Sequence, residues 1–432
     1  MLGEISRKSA FWVLDACKGG NVRRHYQDIE KQLNDMAYCK QQVNKNMRKL
    51  LHFAVNEVEA YKPYQGYKKL SDFPVINKNI IKENYEAFQS NLCRTGNTIS
   101  LHTSGSTGTP FAIIQDRNKR DRVNAEMMYF WKKAGYEIGM KYVFFRIWTE
   151  TNQKSRLTAF ARNLVMEDVL RLDESNLERI RKRLKQDKKI RMLLGYASTF
   201  ENLASYLLKC GDTPDMFHIR CVISGAEALM ESTREKLVKV FGCTVVSLYS
   251  NQENGMLAQE CACHREFHWN SSSFYLELLK LNSDEKAELG ELGRVVITDL
   301  FNYAMPMIRY DTGDLAVRKQ TSDCGWNTIC LERIEGRKAD ITYTAEGEPI
   351  SPSTWGVLFW EFPDIKQYQI IQEYRTEYVI RMNVEKDRYD EAKLYTLVKN
   401  VVGDVKIQFE YVDEIPVLSS GKFKRSICKI QQ

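Results

Sequence analysis

The sequence predicts an α/β protein with a large N-terminal domain of doubly wound sheets, a small β-barrel-like subdomain within it, and a small mobile α+β C-terminal domain. Three observations support this. Strand-like apolar runs alternate with helical patterns over residues 142–249, which is typical of parallel sheets. Residues 270–320 are rich in strand-forming runs, and a charged, aperiodic stretch at 336–340 precedes a separate pattern of strands and one helix. We therefore predict an N-terminal core at residues 1–337 and a C-terminal domain at 338–432.

The composition is that of a globular protein with a large core. Of 432 residues, 43% are hydrophobic and 28% are charged, and the net charge of +7 is mild for this length. The basic run at 179–185 lies on a helical pattern, so we predict a solvated helix face and no nucleic-acid partner. No apolar run is long enough for a transmembrane helix. Eleven cysteines and an N-terminus without an apolar signal core predict reduced thiols in the cytoplasm.

Hydrophobic periodicity predicts most of the elements in order. Helical spacing of apolar residues predicts helices over 1–60, interrupted at Gly19-Gly20, and then over 117–134, 199–209 and 232–241. Apolar, β-branched and aromatic runs predict N-terminal strands at 111–114, 142–148, 193–196, 220–225, 243–249, 274–278 and 293–298. The same patterns predict C-terminal strands at 365–372, 378–383 and 406–412 and a helix at 389–401.

One segment, Leu101 to Pro110, has the composition of a phosphate-binding turn. It contains five hydroxyl residues and two glycines in ten positions, and an apolar strand follows it. Glycine lets a ligand approach the backbone N–H groups, and successive N–H groups in a turn bind anions. The segment lacks the Gly-Lys-Ser/Thr ending of a Walker loop, so a strand–turn–strand cradle is predicted. The alternative is a Ser/Thr-rich surface turn.

Four further motifs carry groups suited to a nucleotide or its substrate. The Gly225–Glu227 turn ends a predicted strand and can accept a flat ring, while Tyr249–Glu253 offers an aromatic side chain and a carboxylate for Mg²⁺. The 310–314 motif ends in a carboxylate suited to ribose hydroxyls, and Lys422 lies on a Ser-Ser-Gly loop. Taken singly, each is also compatible with an ordinary turn or, for Lys422, with a solvated basic tail.

Taken together and in this order, the motifs resemble those of the adenylate-forming enzymes, the superfamily of acyl- and aryl-CoA synthetases and peptide-synthetase adenylation domains. The resemblance extends from about residue 70 to the end of the chain. The branch it resembles most is that of phenylacetate–CoA ligase and the CapK-like proteins of capsular polysaccharide systems. The segment Phe11–Gly20 and the compact length look more like the capsule branch.

The resemblance implies roles for individual residues. The catalytic residues it implies are Lys422, Glu253 and Thr103, with Glu253 holding Mg²⁺ and Lys422 bridging the acid carboxylate and the α-phosphate. The residues it implies for binding ATP or AMP are Thr103, Ser104, Gly105, Ser106, Thr107, Gly108, Thr109, Gly225, Ala226, Glu227, Tyr249, Ser250, Asn251, Gln252, Asp314 and Arg337. The chain departs from the family pattern at Phe111, Ser250, Gln252 and Ala339.

Cysteine and histidine residues are concentrated in two segments, 261–268 and 324–330. Thiolates and imidazoles at such spacing suit a tetrahedral zinc ion. We predict a structural zinc, with the candidate ligands Cys261, Cys263, His268 and Cys324. Relatives of phenylacetate–CoA ligase often carry a Cys-x-Cys-Gly motif in the second segment, where this chain has Ser322 in place of the first cysteine. The alternative is a set of reduced, buried thiols.

The function that the resemblance implies is ATP-dependent adenylation of a small-molecule carboxylic acid with release of pyrophosphate. Transfer to a thiol or amine acceptor (CoA, a carrier protein or an amino-sugar) follows, in capsule or surface-polysaccharide biosynthesis. The alternatives are an aryl-acid CoA ligase similar to phenylacetate ligase and a non-catalytic nucleotide-binding scaffold. Residues 142–148 and Tyr196 are candidates for the acid pocket and equally for the core. We expect a monomer or a homodimer.

Overall fold

The computed structural model describes residues 2–94, 96–103, 111–149, 152–320, 324–337, 341–350, 352–359, 361–362, 364–416 and 424–430. They belong to two compact units. The first consists of Met1–Thr312 and Ala316–Arg333, and the second consists of Gly313–Leu315 and Ile334–Gln432. The functional roles assigned to residues 1–337 and 338–432 remain predictions.

The element bounds are as follows. The α-helices of the described residues are α1 (Leu2–Cys17), α2 (Asn21–Asn34), α3 (Met36–Glu57), α4 (Lys78–Glu83), α5 (Arg117–Lys133), α6 (Arg156–Ala161), α7 (Glu174–Gln186), α8 (Ala197–Lys209), α9 (Glu231–Phe241), α10 (Pro352–Phe359) and α11 (Glu391–Val402). Their β-strands are β1 (Thr98–Thr103), β2 (Phe111–Asp116), β3 (Lys141–Arg146), β4 (Leu164–Asp168), β5 (Ile190–Tyr196), β6 (Cys221–Gly225), β7 (Thr244–Asn251), β8 (Gly255–Glu260), β9 (Phe267–Trp269), β10 (Phe274–Leu279), β11 (Leu292–Asp299), β12 (Tyr310–Lys319), β13 (Cys330–Arg337), β14 (Thr342–Tyr343), β15 (Pro349–Ile350), β16 (Gln367–Tyr374), β17 (Glu377–Asn383), β18 (Lys406–Tyr411) and β19 (Ser426–Cys428).

The N-terminal helices agree with the predicted pattern. Gly19 and Gly20 separate α1 from α2 with φ angles of 101° and 67°, values that glycine adopts readily and other residues rarely do. Asp35 then caps α3, because its side chain accepts a hydrogen bond from the backbone N–H of Tyr38 at 2.9 Å. The predicted break and the helical character of this region are both confirmed.

An eleven-stranded mixed sheet forms the centre of the first unit. Its strand order is β10-β11-β12-β13-β9-β8-β7-β6-β5-β3-β4. The run from β7 to β4 is parallel, whereas β7–β8, β8–β9, β9–β13 and β10–β11 are antiparallel pairs. The α/β class is confirmed. The strand-rich stretch expected as a small subdomain is hydrogen-bonded to this sheet and continues it, since β13 returns to pair with β9.

Helices cover both faces of the parallel part of this sheet. Val143 and Phe145 of β3 belong to a core cluster shared with α7, α8 and α9. Tyr142 of the same strand belongs to a second cluster that includes Trp131 of α5. Because successive side chains of a strand point to opposite faces, these clusters lie on the two sides of the sheet. The doubly wound arrangement is therefore confirmed.

A separate hairpin carries the predicted phosphate turn. Strands β1 and β2 are antiparallel, and Thr103, the last residue of β1, pairs with Phe111, the first residue of β2. The predicted strand–turn–strand arrangement is confirmed for the two strands. Residues 104–110, the turn itself, lie outside the described residues.

The second unit has its own sheet and core. Its four strands have the order β18-β17-β16-β19, with β16 and β17 antiparallel and the outer strands parallel to their neighbours. The buried residues Trp355, Tyr378 and Val398 bring α10 and α11 into one apolar cluster with this sheet. The strands and helix predicted from the C-terminal sequence are confirmed. Among the helices that the structure describes, none is both long and apolar enough to cross a membrane.

Candidate active site

Several predicted ligand-binding residues lie at the carboxyl edge of the parallel strands. Tyr196, Gly225 and Leu248 are aligned in the register of β5, β6 and β7. The segments that follow β6 and β7 therefore leave the sheet at the same edge, which is where α/β proteins commonly bind ligands. Sequence reasoning located both segments, and the strand register brings them together.

The turn after β6 has a strained backbone and an anchored carboxylate. Ala226 has a φ of 67°, in the left-handed region that a Cβ atom disfavours. Glu227, predicted to line the adenine, accepts a hydrogen bond through Oε2 from the backbone N–H of Ser198 at 2.8 Å. Ser198 lies in the first turn of α8, so Glu227 satisfies a helix N-terminus and fixes the turn to its neighbour.

Tyr249, the predicted stacking residue, lies beside the 310–314 motif. Its hydroxyl is 3.4 Å from Oγ1 of Thr312, and Thr312 also donates to the carbonyl oxygen of Val295 at 3.0 Å. The first carboxylate of the motif, Asp311, is engaged by Arg294 at 2.7 Å. Asp314 lies further along β12, past Gly313 with a φ of 79°. The Tyr249 ring and the start of the predicted ribose motif are thus neighbours.

The turn that contains Glu253 is tied to the phosphate hairpin by Gln115, which sequence reasoning missed. Gln115 of β2 is fully buried and donates through Nε2 to the carbonyl oxygen of Glu253 at 2.8 Å. Its Oε1 accepts from Arg120 at 3.1 Å, which fixes the orientation of the amide. No local sequence pattern could have predicted this contact, because it joins residues that are 138 positions apart.

The same turn is held from two further sides. Asn251 accepts from the backbone N–H of Asn254 at 2.8 Å, which closes the turn between β7 and β8. Gly255, with a φ of 105°, faces α5 so closely that a Cβ atom there would lie 2.9 Å from a methyl group of Val123. Glu253 therefore belongs to a short, well-fixed turn. Ser250 and Gln252, predicted nucleotide contacts in the same segment, are exposed, and Asn251 is half-buried.

Buried charges anchor the start of α5, immediately after the hairpin. Lys119 and Asp299 form an ion pair of 2.8 Å whose side chains are almost completely buried. Asp116, the last residue of β2, caps α5 through the backbone N–H of Lys119 at 2.8 Å and accepts from that of Tyr303 at 2.9 Å. Breaking a buried pair leaves an uncompensated charge, so this network fixes the base of the hairpin.

Some predicted residues cannot be placed. Ser104, Gly105, Ser106, Thr107, Gly108, Thr109 and Lys422 lie outside the described residues. Thr103 is described through the backbone of β1 and Arg337 through the backbone of β13. Their predicted contacts with phosphate and ribose remain predictions.

The aromatic residues proposed for an acid pocket have different roles. Tyr142 and Phe145 are buried in the two core clusters on opposite faces of the sheet. Phe144 and Trp148 are half-buried, and their ring centres meet edge to face at 5.4 Å. Cζ of Arg146 lies 5.9 Å from both of these ring centres. The end of β3 thus combines an aromatic pair with a guanidinium group.

The cysteine and histidine residues form a compact cluster in the first unit. Donor atoms of Cys261, His264 and Cys324 lie within 4.8 Å of one another. The backbone N–H of His264 also donates to Sγ of Cys261 at 3.4 Å, closing a tight turn. Cys263, predicted as a ligand, is not one of these three residues, whereas His264 is, and both side chains are exposed. The ligand set remains a prediction. The Cys-x-x-His spacing was the signal that favoured His264.

His268, the other predicted ligand, lies against this cluster. Its Nε2 is 3.1 Å from Sγ of Cys324, and its ring stacks on Trp326 with centres 4.6 Å apart. Burial lowers the pKa of His268 to about 4, so the imidazole is neutral at neutral pH, the form that binds metal ions. Cys330 differs, because burial raises the pKa of its thiol to about 12 and keeps it protonated.

Comparison with known proteins identifies similar sequences and a similar solved structure. A crystal structure of 2-hydroxyisobutyryl-CoA ligase in the postadenylation state, in complex with R3-HIB-AMP, matches with a TM-score of 0.71 and 18% identity, over 90% of this chain and 89% of that one. Residues 342–429 match the family model of the CapK C-terminal domain. Protein CapK of Staphylococcus aureus is 22% identical over 383 residues, which cover 84% of this chain and 81% of CapK. The chain is thus similar to CapK over most of its length and shares its fold with 2-hydroxyisobutyryl-CoA ligase.

A second relative matches a shorter part of the chain, and a further solved structure shares its fold. The phenylacetate-coenzyme A ligase of Thermus thermophilus is 27% identical to this chain over 181 residues, 41% of this chain and 40% of that protein. ATP-bound MatB from Rhodopseudomonas palustris matches with a TM-score of 0.56 and 18% identity, over 74% of this chain and 65% of that one. At these identities the solved structures establish a shared fold.

Proposed function

We propose that this CapK-like protein is an AMP-forming acid ligase. It activates a carboxylic acid with ATP, giving an acyl-adenylate and pyrophosphate, and then transfers the acyl group to a thiol, with CoA as the first candidate acceptor. The observation that carries the proposal is the convergence of three predicted nucleotide motifs in the first unit. The hairpin reaches the Glu253 turn through Gln115, and the Tyr249 ring meets Thr312 of the ribose motif. The relatives are named as acid–CoA ligases and support the same reaction.

In the proposed reaction the acid carboxylate attacks the α-phosphate, and pyrophosphate leaves. The Thr103–Thr109 turn binds the β- and γ-phosphates through its backbone N–H and hydroxyl groups. The turn Gly225–Glu227 and Tyr249 hold the adenine, while Asp314 and Arg337 hold the ribose. The rate enhancement comes from positioning the two reactants and stabilising the charge of the transition state, and no cysteine acts as a nucleophile.

Lys422 completes the proposed site from the C-terminal domain. Its ammonium group neutralises the negative charge that builds up between the carboxylate and the α-phosphate during adenylation. We propose that residues 338–432 act as a mobile lid that delivers Lys422 for this step and withdraws it before acyl transfer. Two finer proposals rest on the CapK relative. One is transfer of the acyl group to a carrier protein or an amino-sugar, and the other is a role in capsule biosynthesis.

Two metal ions fit residues of the first unit. Glu253 offers a hard carboxylate oxygen on a fixed turn, which suits Mg²⁺ bound together with ATP phosphates, and the ion would neutralise phosphate charge. Cys261, His264 and Cys324 offer soft sulfur and nitrogen donors within 4.8 Å of one another, which suits zinc. His268 supplies a fourth donor beside Cys324, and we propose a structural zinc at this Cys₂His₂ set.

Acid-dependent release of pyrophosphate from ATP tests the proposed reaction. We expect release with members of a panel of aliphatic, aromatic and sugar acids, and consumption of CoA when it is added. Glu253→Gln is expected to lower the rate by about 10²-fold, whereas the exposed Glu174→Gln on α7 leaves it unchanged. ATP binding without release for any acid contradicts the ligase and favours a nucleotide-binding scaffold. Activation restricted to aromatic acids identifies an aryl-acid CoA ligase.

A further inference from the structure

Four basic side chains of the first unit influence one another electrostatically near the end of β3. They are Arg120 of α5, Arg146 of β3, Lys154 in the segment that follows β3, and Arg162 directly after α6. We call them the cation cluster. Partial burial lowers the pKa of the Lys154 ammonium group, and the charges of Arg162, Arg146 and Arg120 lower it further. Like charges have this effect only when they lie near one another, so the four groups belong to one region of the first unit.

The described acidic groups around the cluster form no ion pair with its members. Within the described ranges, none of its members has a carboxylate oxygen at ion-pair distance. Asp121 and Glu126 act electrostatically on Arg120 from a greater distance. Asp168, at the end of β4, accepts the backbone N–H groups of Trp148 and Leu170, both at 2.9 Å. Basic clusters on protein surfaces are more commonly interspersed with acids, as in α7, where Arg179 and Arg183 both contact Glu167.

The position of the cluster points to a ligand. Arg146 is the last residue of a parallel strand, at the sheet edge where Tyr196 and Gly225 also lie. Arg120 donates to Gln115, which in turn contacts the turn of Glu253. The cluster therefore borders the proposed site of adenylation, on the side of the aromatic pair Phe144 and Trp148.

A second, independent feature lies in the same place. The indole Nε1–H of Trp148 is buried and has no hydrogen-bond acceptor among the described residues. Buried donors without a partner are uncommon in native proteins and call for an explanation. An anionic or carbonyl oxygen of a bound ligand would supply the acceptor and, at the same time, a counter-charge for Arg146, whose Cζ is 5.9 Å from the Trp148 ring.

We infer that the cation cluster binds a second anionic group on the acid substrate, so that the substrate is a dianionic acid: a dicarboxylate or a phosphorylated carboxylic acid. One carboxylate is activated, and the other anionic group is held by Arg146 together with Arg120, Lys154 and Arg162. Arginine is suited to this because its planar fork can bind carboxylate or phosphate oxygens in pairs. The inference rests on the proposed ligase function and names the substrate class for its acid site.

Matched pairs of acids test this inference. Calorimetry with ATP-free protein compares succinate with butyrate, phthalate with benzoate, and 3-phosphoglycerate with glycerate; the same acids are used in the pyrophosphate assay. We expect the dianionic member of at least one pair to bind about tenfold more tightly or better, a typical effect of one charge-assisted contact. Arg146→Gln is expected to abolish that preference. Arg220→Gln, which removes an exposed arginine just before β6 at the opposite edge of the sheet, is expected to retain it.

The outcomes separate this inference from the function on which it rests. Release of pyrophosphate with monoanionic acids at least as fast as with their dianionic partners overturns the inference and leaves the ligase intact. Preferential binding of dianionic acids without any release supports the cation cluster and contradicts the ligase. Absence of binding by every dianionic probe overturns the inference, as does a preference that Arg146→Gln leaves unchanged. If Arg146→Gln weakens only the binding of CoA, the cluster serves the phosphates of the acceptor and the inference is wrong.

Discussion

At the scale of single residues, hydrogen-bond partners distinguish similar carboxylates. Glu227 is held by the N-terminus of α8 and Asp311 by Arg294. Glu253, by contrast, is fixed through its backbone carbonyl oxygen, which accepts from Gln115. The Glu253 carboxylate takes no part in this hydrogen bond, so it can bind a metal ion while the backbone holds the turn in place. This difference favours Glu253 as the residue that meets Mg²⁺.

The role of Lys422 gives a prediction at this scale. Lys422→Ala removes the charge that the proposed mechanism uses in the transition state, so we expect the rate of adenylation to fall by about 10²- to 10³-fold. ATP affinity should change little, because ground-state binding does not depend on this charge. Transfer of the acyl group from a supplied acyl-adenylate should be spared. Rapid measurement of both half-reactions in the variant checks this.

Lys424→Ala is the matched control, since it removes the same charge from the same segment and should leave both half-reactions unchanged. Equal losses in both half-reactions of Lys422→Ala would point to a folding role. An intact adenylation rate would show that Lys422 is a solvated surface residue, and the proposed lid would be wrong.

At the scale of elements, the β1–β2 hairpin and the β7–β8 turn are joined by one buried amide. Gln115→Met keeps the volume but removes the donor to Glu253, so the carbonyl oxygen of this half-buried residue loses its buried hydrogen-bond partner. We expect the Glu253 turn to loosen and the Mg²⁺ concentration needed for half-maximal ATP binding to rise about tenfold. Calorimetric titration of ATP at several Mg²⁺ concentrations measures this shift.

Gln259→Met is the control for this experiment. Gln259 of β8 is equally buried and donates through Nε2 to the carbonyl oxygen of Phe130 at the same distance of 2.8 Å, but it has no contact with Glu253. Both variants should lose comparable stability in urea denaturation, about 1–3 kcal/mol for one unsatisfied buried group. An identical Mg²⁺ dependence in the two variants would falsify the positioning role of Gln115.

At the scale of the whole molecule, a zinc ion would join parts of the first unit that are distant in sequence. Cys261 and His264 follow β8, whereas Cys324 precedes β13, the strand that pairs with β9. We expect about one zinc per chain in protein purified without chelator or added metal, because the donors are already grouped. Elemental analysis decides this, and Cys324→Ser should lose the metal and lower the melting temperature.

Cys263→Ser provides the comparison, since Cys263 is an exposed thiol in the same turn and lies outside the group. It should retain full zinc and the melting temperature of the unaltered protein. A zinc content far below one per chain in the unaltered protein would show that these cysteines are reduced thiols that hold no metal. Loss of zinc in both Cys263→Ser and Cys324→Ser would restore the ligand set expected from the sequence.

The sequence by itself determined the elements and the class of this protein, because both depend on local periodicity and on the order of short motifs. The helices before residue 60, the alternation from β3 to β7 and the strands of the second unit follow from apolar spacing at 3.6 or 2 residues. The ordered motifs likewise led to the adenylate-forming superfamily.

Only the tertiary structure decided which side chains meet. Strand register and helix packing brought Gln115 to Glu253, grouped Cys261 and His264 with Cys324, and buried Tyr142 and Phe145 in core clusters on opposite faces of the sheet. Such contacts join positions far apart in the chain, and no local pattern encodes them.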